Sequence, residues 1–219
     1  MTTPTSRLPR RQALRALASG AACVAFPAAV RAALAPMTEG PFYPSPAYRA
    51  RQLDWYADLT RVTRASAADA PRAAGEWLDL TGVVRDARGR AVDGAVIEIW
   101  QCDVHGSYRH PRGAGEKVDE AFQGFGSTRS DGQGMYRFRT IKPVPYPGRA
   151  PHIHVLLRHP GWGELVSQLF VAGDAANARD FLYRSLSASE RGDAELHLQR
   201  APAGAPVVWL AERSLVVGA

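Results

Sequence analysis

Two histidines one residue apart, His152 and His154, close the run KPVPYPGRAPHIHV (residues 142–155), which also carries Tyr146 and Arg149. Apolar Ile153, Val155, Leu156 and Leu157 surround and follow them, the pattern of a β-strand. On a strand, residues i and i+2 share a face, so both imidazoles can reach one metal ion. Further upstream, His105, Tyr108 and His110 follow an apolar run ending IWQCD. The candidate ligands are therefore His105, Tyr108, His110, Tyr146, His152 and His154. A phenol keeps its proton at neutral pH, with a pKa of about 10, but a trivalent cation lowers that value sharply. Two phenolates and one hydroxide balance Fe(III), and neutral imidazoles complete the shell. Hard phenolate oxygen favours ferric iron over ferrous iron or zinc. Without the tyrosines, a His-x-His pair on a strand reads as an ordinary solvent-facing or core pair.

These side chains need a stiff frame. The segment ahead of the histidines holds Pro143, Pro145, Pro147, Gly148 and Pro151, a loop with few conformations to lose. The remaining chain reads mostly as short strands between turns. WLDLTGVVRD (77–86) ends at the turn Ala87–Arg90, and AVIEIWQC (95–102) follows. Next come FQGFGSTRS (122–130), MYRFRTI (135–141), HIHVLLRH (152–159), LVSQLFV (165–171), DAELHLQR (193–200) and PVVWLAERSLVV (206–217). ANARDFLYRSL (176–186) is the one short helix, with Phe181, Leu182 and Leu186 as its apolar residues. Sixteen prolines and 20 glycines favour turns over long helices. The pattern predicts an all-β chain, a sandwich or small barrel with long loops.

The 219 residues suit one sizeable domain. The net charge of +6 is concentrated at the start: Arg7, Arg10, Arg11, Arg15 and Arg31 occur in residues 1–35 without an acid, leaving 22 basic against 21 acidic residues beyond. No domain-wide footprint for nucleic acid remains. Residues 1–35 read as an export signal, with paired Arg10 and Arg11, an Ala-rich apolar run, and Ala33-Leu34-Ala35 as a small-x-small cleavage pattern. The arginine pair is twin-arginine-like, which predicts an exported protein, periplasmic or extracellular, with residues 36–219 as its domain. Cys23 lies in that leader, with Gly20 where a lipid-attachment signal carries a bulky apolar residue. Cys102, in an apolar strand, reads as a buried, inert thiol. No run beyond the leader is apolar enough to span a bilayer.

Residues 77–110, 122–155 and 165–174, ending LVSQLFVAGD, resemble the intradiol ring-cleavage dioxygenases, which include catechol 1,2-dioxygenases and protocatechuate 3,4-dioxygenases. The resemblance runs from about Thr38 to Asp174. It implies a β-sandwich with a prealbumin-like core and an Fe(III) site held by Tyr108, Tyr146, His152 and His154. It also implies Arg149 as the catalytic arginine and Gln168 beside the oxygen and substrate site. Tyr146 would be the ligand that leaves and takes a substrate proton. The implied reaction cleaves a catechol-type ring with O2 to a muconate-type dicarboxylic acid. Its partners are a small catecholic substrate and O2, with a homo-oligomer left open. Residues Glu39–Tyr43 are expected either over the pocket or simply packed at the N-terminal end of the domain.

Two other readings use the same residues. GVVRDARGRAVDGAVIEIW (82–100) also fits a secreted, non-catalytic prealbumin-like binding module, which needs neither the tyrosines nor the histidine pair. Cupins place His-x-His on a strand too, but follow it with a glutamate, where this chain has Arg158 and His159.

Overall fold

The computed structural model describes residues 33–44, 46–50, 54–62, 70–113 and 115–218. The arginine pair, Cys23 and the rest of the leader through residue 32 lie outside the described residues, as does most of the Ala-rich stretch before Pro71. Among the described residues ten strands form: β1 Trp77–Asp86, β2 Val96–Trp100, β3 Phe125–Arg129, β4 Met135–Ile141, β5 His152–His159, β6 Gly163–Val171, β7 Glu195–Leu196, β8 Gln199–Arg200, β9 Trp209–Glu212 and β10 Leu215–Val217.

They make two sheets. In the first, β4 pairs antiparallel along one edge of β1, while β9 and β10 pair parallel with successive parts of the other edge and β8 extends β9. The second runs β3-β2-β5-β6-β7. Alternation in β4 shows how sequence sets the faces: Tyr136, Phe138 and Thr140 are buried, while Met135 and Arg137 are exposed. Outside, Arg137 and Arg139 both donate to Asp79 on β1. The inner faces meet in one aliphatic core containing Leu78, Leu80, Val84, Phe138, Ile97, Ile99, Ile153, Val155, Leu157 and Leu169. This is the expected all-β sandwich.

The helical content differs from the single helix expected over 176–186. A 3₁₀ turn, Ala175–Arg179, ends at Asp180, and a separate helix, Phe181–Ser185, starts there. Asp180 is extended and caps the second piece, so the helical pattern is cut in two. Phe181, one of its apolar residues, is 62% exposed. A further helix, Ala188–Ala194, takes the start of what reads as a strand at 193–200, because Ser187 and Glu190 form a reciprocal capping box. A short helix, Pro46–Arg49, lies near the start.

Leu34 and Ala35 are buried in the core. The Leu34 amide donates to the Val216 carbonyl, and Ser167 Oγ donates to the Ala35 carbonyl. From there residues 36–44 and 46–49 cross the outer face of the second sheet, which carries the site.

Candidate metal centre

Strand β5 has a dry inner face and a chemical outer face. Ile153, Val155 and Leu157 point into the aliphatic core; His152 and His154 point the other way, beneath loops. The register places Trp100 on one neighbour and Gln168 on the other directly beside His154. Trp100 stacks on the His154 ring, with centroids 4.7 Å apart and planes 12° apart.

The two histidine Nε2 atoms are 3.2 Å apart. His152 Nδ1 donates to the Ala150 carbonyl at 2.6 Å, since a carbonyl can only accept. That contact puts the His152 proton on Nδ1 and leaves Nε2 with a lone pair facing its neighbour, the arrangement a metal-binding imidazole needs. Burial, reinforced by the nearby Arg149 guanidinium, holds His152 down to about 4. Burial, then His152 and Arg149, hold His154 well below its ordinary value. Both rings are thus neutral donors at neutral pH. His154 Nδ1 is buried without a hydrogen-bond partner.

The tyrosines arrive from two loops. Tyr108 Oη lies 3.5 Å from His152 Nε2, and the residue is 3% exposed. Its loop is organised by Asp103, whose buried carboxylate accepts from the amides of His105, Ser107 and Asp119. Tyr146 stands edge-on to Tyr108, with ring centroids 5.6 Å apart. It begins the turn Tyr146-Pro147-Gly148-Arg149, closed by the Arg149 amide donating to the Tyr146 carbonyl. Proline at the second position and Gly148 at φ 83° at the third fit a type II turn. That turn sets Arg149 beside Tyr146, Nη1 donating to its phenol oxygen at 3.3 Å. Burial, with Cys102 and Tyr146 adding to it, pushes the Tyr108 phenol well above its ordinary value when only protein surrounds it.

Four of the six candidate ligands are therefore brought together: Tyr108, Tyr146, His152 and His154. The other two are not. His105 is exposed, and His110 packs against Phe42 and Tyr48. Among the described residues no three of His, Cys, Asp and Glu converge on a cation site, so the His-His-Glu set of a cupin is not assembled here. The donor set is two imidazoles and two phenols, which fits a hard trivalent ion.

Arg149 and Gln168 complete the wall. Arg149 Nη2 donates to Gln168 Oε1 at 2.6 Å, and Gln168 Nε2 donates to the Thr38 carbonyl at 3.1 Å. Residues 38–43 do lie over the site. Gly40 approaches so closely that a side-chain carbon there would stand 3.4 Å from His154 Cε1. Phe42 stacks on Tyr108 at 4.5 Å. The strap is pinned by buried Glu98, which accepts from Tyr43 Oη and Arg49, both at 2.6 Å. Cys102 is buried, as expected, and burial, with Asp103 nearby, pushes its thiol up to about 12.

Two neighbours escape a reading by residue type and spacing. Asp180 accepts from Arg149 Nε at 2.8 Å. Phe181 sets its ring 5.3 Å from the Arg149 guanidinium and is largely exposed at the edge of the site. The only sequence signal was an aspartate before a short apolar helical run, a cap pattern with no hint of a distant arginine.

Fold and cluster together define a two-sheet β-sandwich with a paired Tyr/His centre on its outer face. A family model described as dioxygenase matches residues 44–199, and the chain belongs to the intradiol ring-cleavage dioxygenase family. Over 126 residues it is 35% identical to the protocatechuate 3,4-dioxygenase beta chain of Burkholderia cepacia, covering 53% of this chain and 54% of that one. Over 127 residues it is 34% identical to a catechol 1,2-dioxygenase of Acinetobacter baylyi, covering 50% and 40%. The chain thus spans about half the length of these relatives or less. The dioxygenase domain of a Streptomyces dioxygenase–carbohydrate-binding fusion shares the fold, with TM-score 0.63, 22% identity, and 85% and 99% of the two chains covered. A hydroxyquinol 1,2-dioxygenase of Pseudomonas putida does so with TM-score 0.63, 21% identity, and 86% and 68% covered.

Proposed function

We propose that this chain cleaves a catechol-type ring between its two hydroxyl-bearing carbons, with O2 and ferric iron, giving a muconate-type dicarboxylic acid. Tyr108, Tyr146, His152 and His154 would hold the iron. The observation that carries the reading is the convergence of two buried imidazole Nε2 atoms, 3.2 Å apart, the His152 one with its lone pair free, and a buried phenol 3.5 Å away. A non-catalytic binding module has no use for that convergence.

Ferric iron, when bound, would draw electron density from a chelated catecholate and open it to reaction with O2. The protein groups divide the remaining work by burial. Tyr108 is sealed beneath Phe42 and would stay in place. Tyr146 is only half-buried, so its phenolate is the one able to swing away and take a substrate proton. Arg149 Nη1, aimed beside Tyr146, would stabilise negative charge building on the ring carbons. Gln168 holds Arg149 and ties it to the strap. Phe42 and Gly40 roof the site and keep water from the reacting ring.

The test is oxygen uptake by the iron-loaded protein with catechol, hydroxyquinol and protocatechuate, followed by product identification. Stoichiometric uptake with a ring-opened diacid supports the reading. A protein that is colourless after iron loading and consumes no O2 overturns it, because ferric tyrosinate absorbs visible light. Export through the twin-arginine-like leader belongs to the same proposal. It is checked by cell fractionation with Arg10 and Arg11 both changed to Lys, which should trap the protein inside.

A further inference from the structure

Arg149 is held from behind by a carboxylate that the reaction itself does not require. The Asp180 side chain is fully buried and the Arg149 side chain is 9% exposed. Asp180 divides its oxygens. Oδ1 accepts from the amides of Leu182 and Tyr183, both at 3.0 Å, and so caps the helix Phe181–Ser185. Oδ2 accepts from Arg149 Nε at 2.8 Å and from the Ala150 amide at 2.9 Å. Gln168 takes Nη2. Two of the three guanidinium nitrogens are thus fixed from behind, which turns Nη1 toward Tyr146. A planar guanidinium held at two corners has no freedom left at the third.

We propose that Asp180 is the positioning residue for Arg149, setting where its Nη1 stands during ring cleavage. This rests on the reading of the site as an intradiol dioxygenase. The cap alone needs only Oδ1; the second oxygen faces Arg149 and Ala150. Burial would raise the Asp180 carboxyl, but the donors from Ala150, Tyr183 and Arg149 outweigh it and hold it below the ordinary range. The charge also keeps a nearly buried guanidinium paired, without which the arginine would turn outward to water.

The test separates cap from orientation. In Asp180→Asn an amide oxygen can still cap, but its NH2 faces two donors. In Asp180→Ser the hydroxyl still caps while nothing reaches Arg149. Both proteins should bind iron with the wild-type visible colour, and without iron both should melt cooperatively. Turnover should fall about tenfold to a hundredfold, as for a misplaced reacting group, with KM for the catechol changing less than about threefold. The decisive measurement is the double variant Arg149→Ala/Asp180→Ser. Its turnover should equal that of Arg149→Ala alone, because nothing remains to position. If both Asp180 variants turn over within about twofold of wild type while Arg149→Ala is impaired, the proposal is overturned. So it is by an equal fold-loss from Asp180→Ser in the presence and absence of Arg149. A wild-type protein inert toward every catechol removes the dioxygenase reading itself, a distinct result from active wild type with indifferent Asp180 variants.

Discussion

The two faces of β5 do opposite work within the same eight residues. Its inner face, Ile153, Val155 and Leu157, is aliphatic and meets another sheet across a repeating pleat. Its outer face, His152 and His154, meets loops: the strap over 38–43, the Asp103-organised loop and the Tyr146–Arg149 turn. Around those histidines pack Trp100, Cys102, Tyr108, Phe125 and Leu156, with Phe42, Tyr43 and Tyr146 at the rim, a mainly aromatic layer. Aliphatic packing tolerates no polar atom without a partner; the aromatic layer holds rings whose edges can carry nitrogen and oxygen to one point. The contrast teaches that stability and chemistry are separable here by a one-residue alternation, and each can be struck alone.

The largest separation is expected from Tyr108→Phe. It removes one oxygen from the outer layer and should abolish the visible colour and cut turnover by more than about 100-fold, beyond the loss typical of an outer-shell partner. The iron-free protein should melt within a few degrees of wild type; a collapse in melting would show that the layer is structural. Leu157→Ala strikes the other face. It should lower stability by about 2–5 kcal/mol, measured by denaturant unfolding, while the folded protein keeps its colour.

Acid probes the same boundary in the iron-free protein. His152 is held near 4, below its value in the unfolded chain. Protons therefore bind the unfolded state first, and the stability this residue contributes is complete above about 6.5 and lost as pH falls toward about 4, on the order of 3 kcal/mol. Thermal melting across that window checks the sign; a flat profile would mean that His152 is hydrated. The smallest effect is at the roof. Phe42→Ala removes the ring stacked on Tyr108, worth about 1 kcal/mol of stability. It should raise KM for the catechol more than it lowers kcat, by steady-state kinetics.

Much of this was legible in the chain. Period-two alternation marked β1 and β4 residue by residue, and His-x-His with Tyr146 and Arg149 on a proline-rich run announced the cluster. Both are local signals, carried within a few residues. What stayed hidden depends on distant partners. Asp180 falls inside the single helix expected over 176–186, and nothing local shows that it caps a shorter one and faces Arg149, 31 residues earlier in the chain. Phe181 carries no local mark of its position, and it stands largely exposed beside the Arg149 guanidinium. The burial of Leu34 likewise rests on a distant partner, the Val216 carbonyl. The helix at 188–194 was within reach, since Ser187-Ala-Ser-Glu190 spells its own start.

The turn at Tyr146-Pro147-Gly148-Arg149 has one further implication. Nothing lies within 4 Å of where a side chain on Gly148 would project, so bulk is not what excludes one. The handedness of that single backbone step is what brings a phenol and a guanidinium to the same rim. Under the proposed function, Gly148 would shape this rim through backbone handedness alone, and a D-amino acid would suit its φ of 83° better than any L-residue.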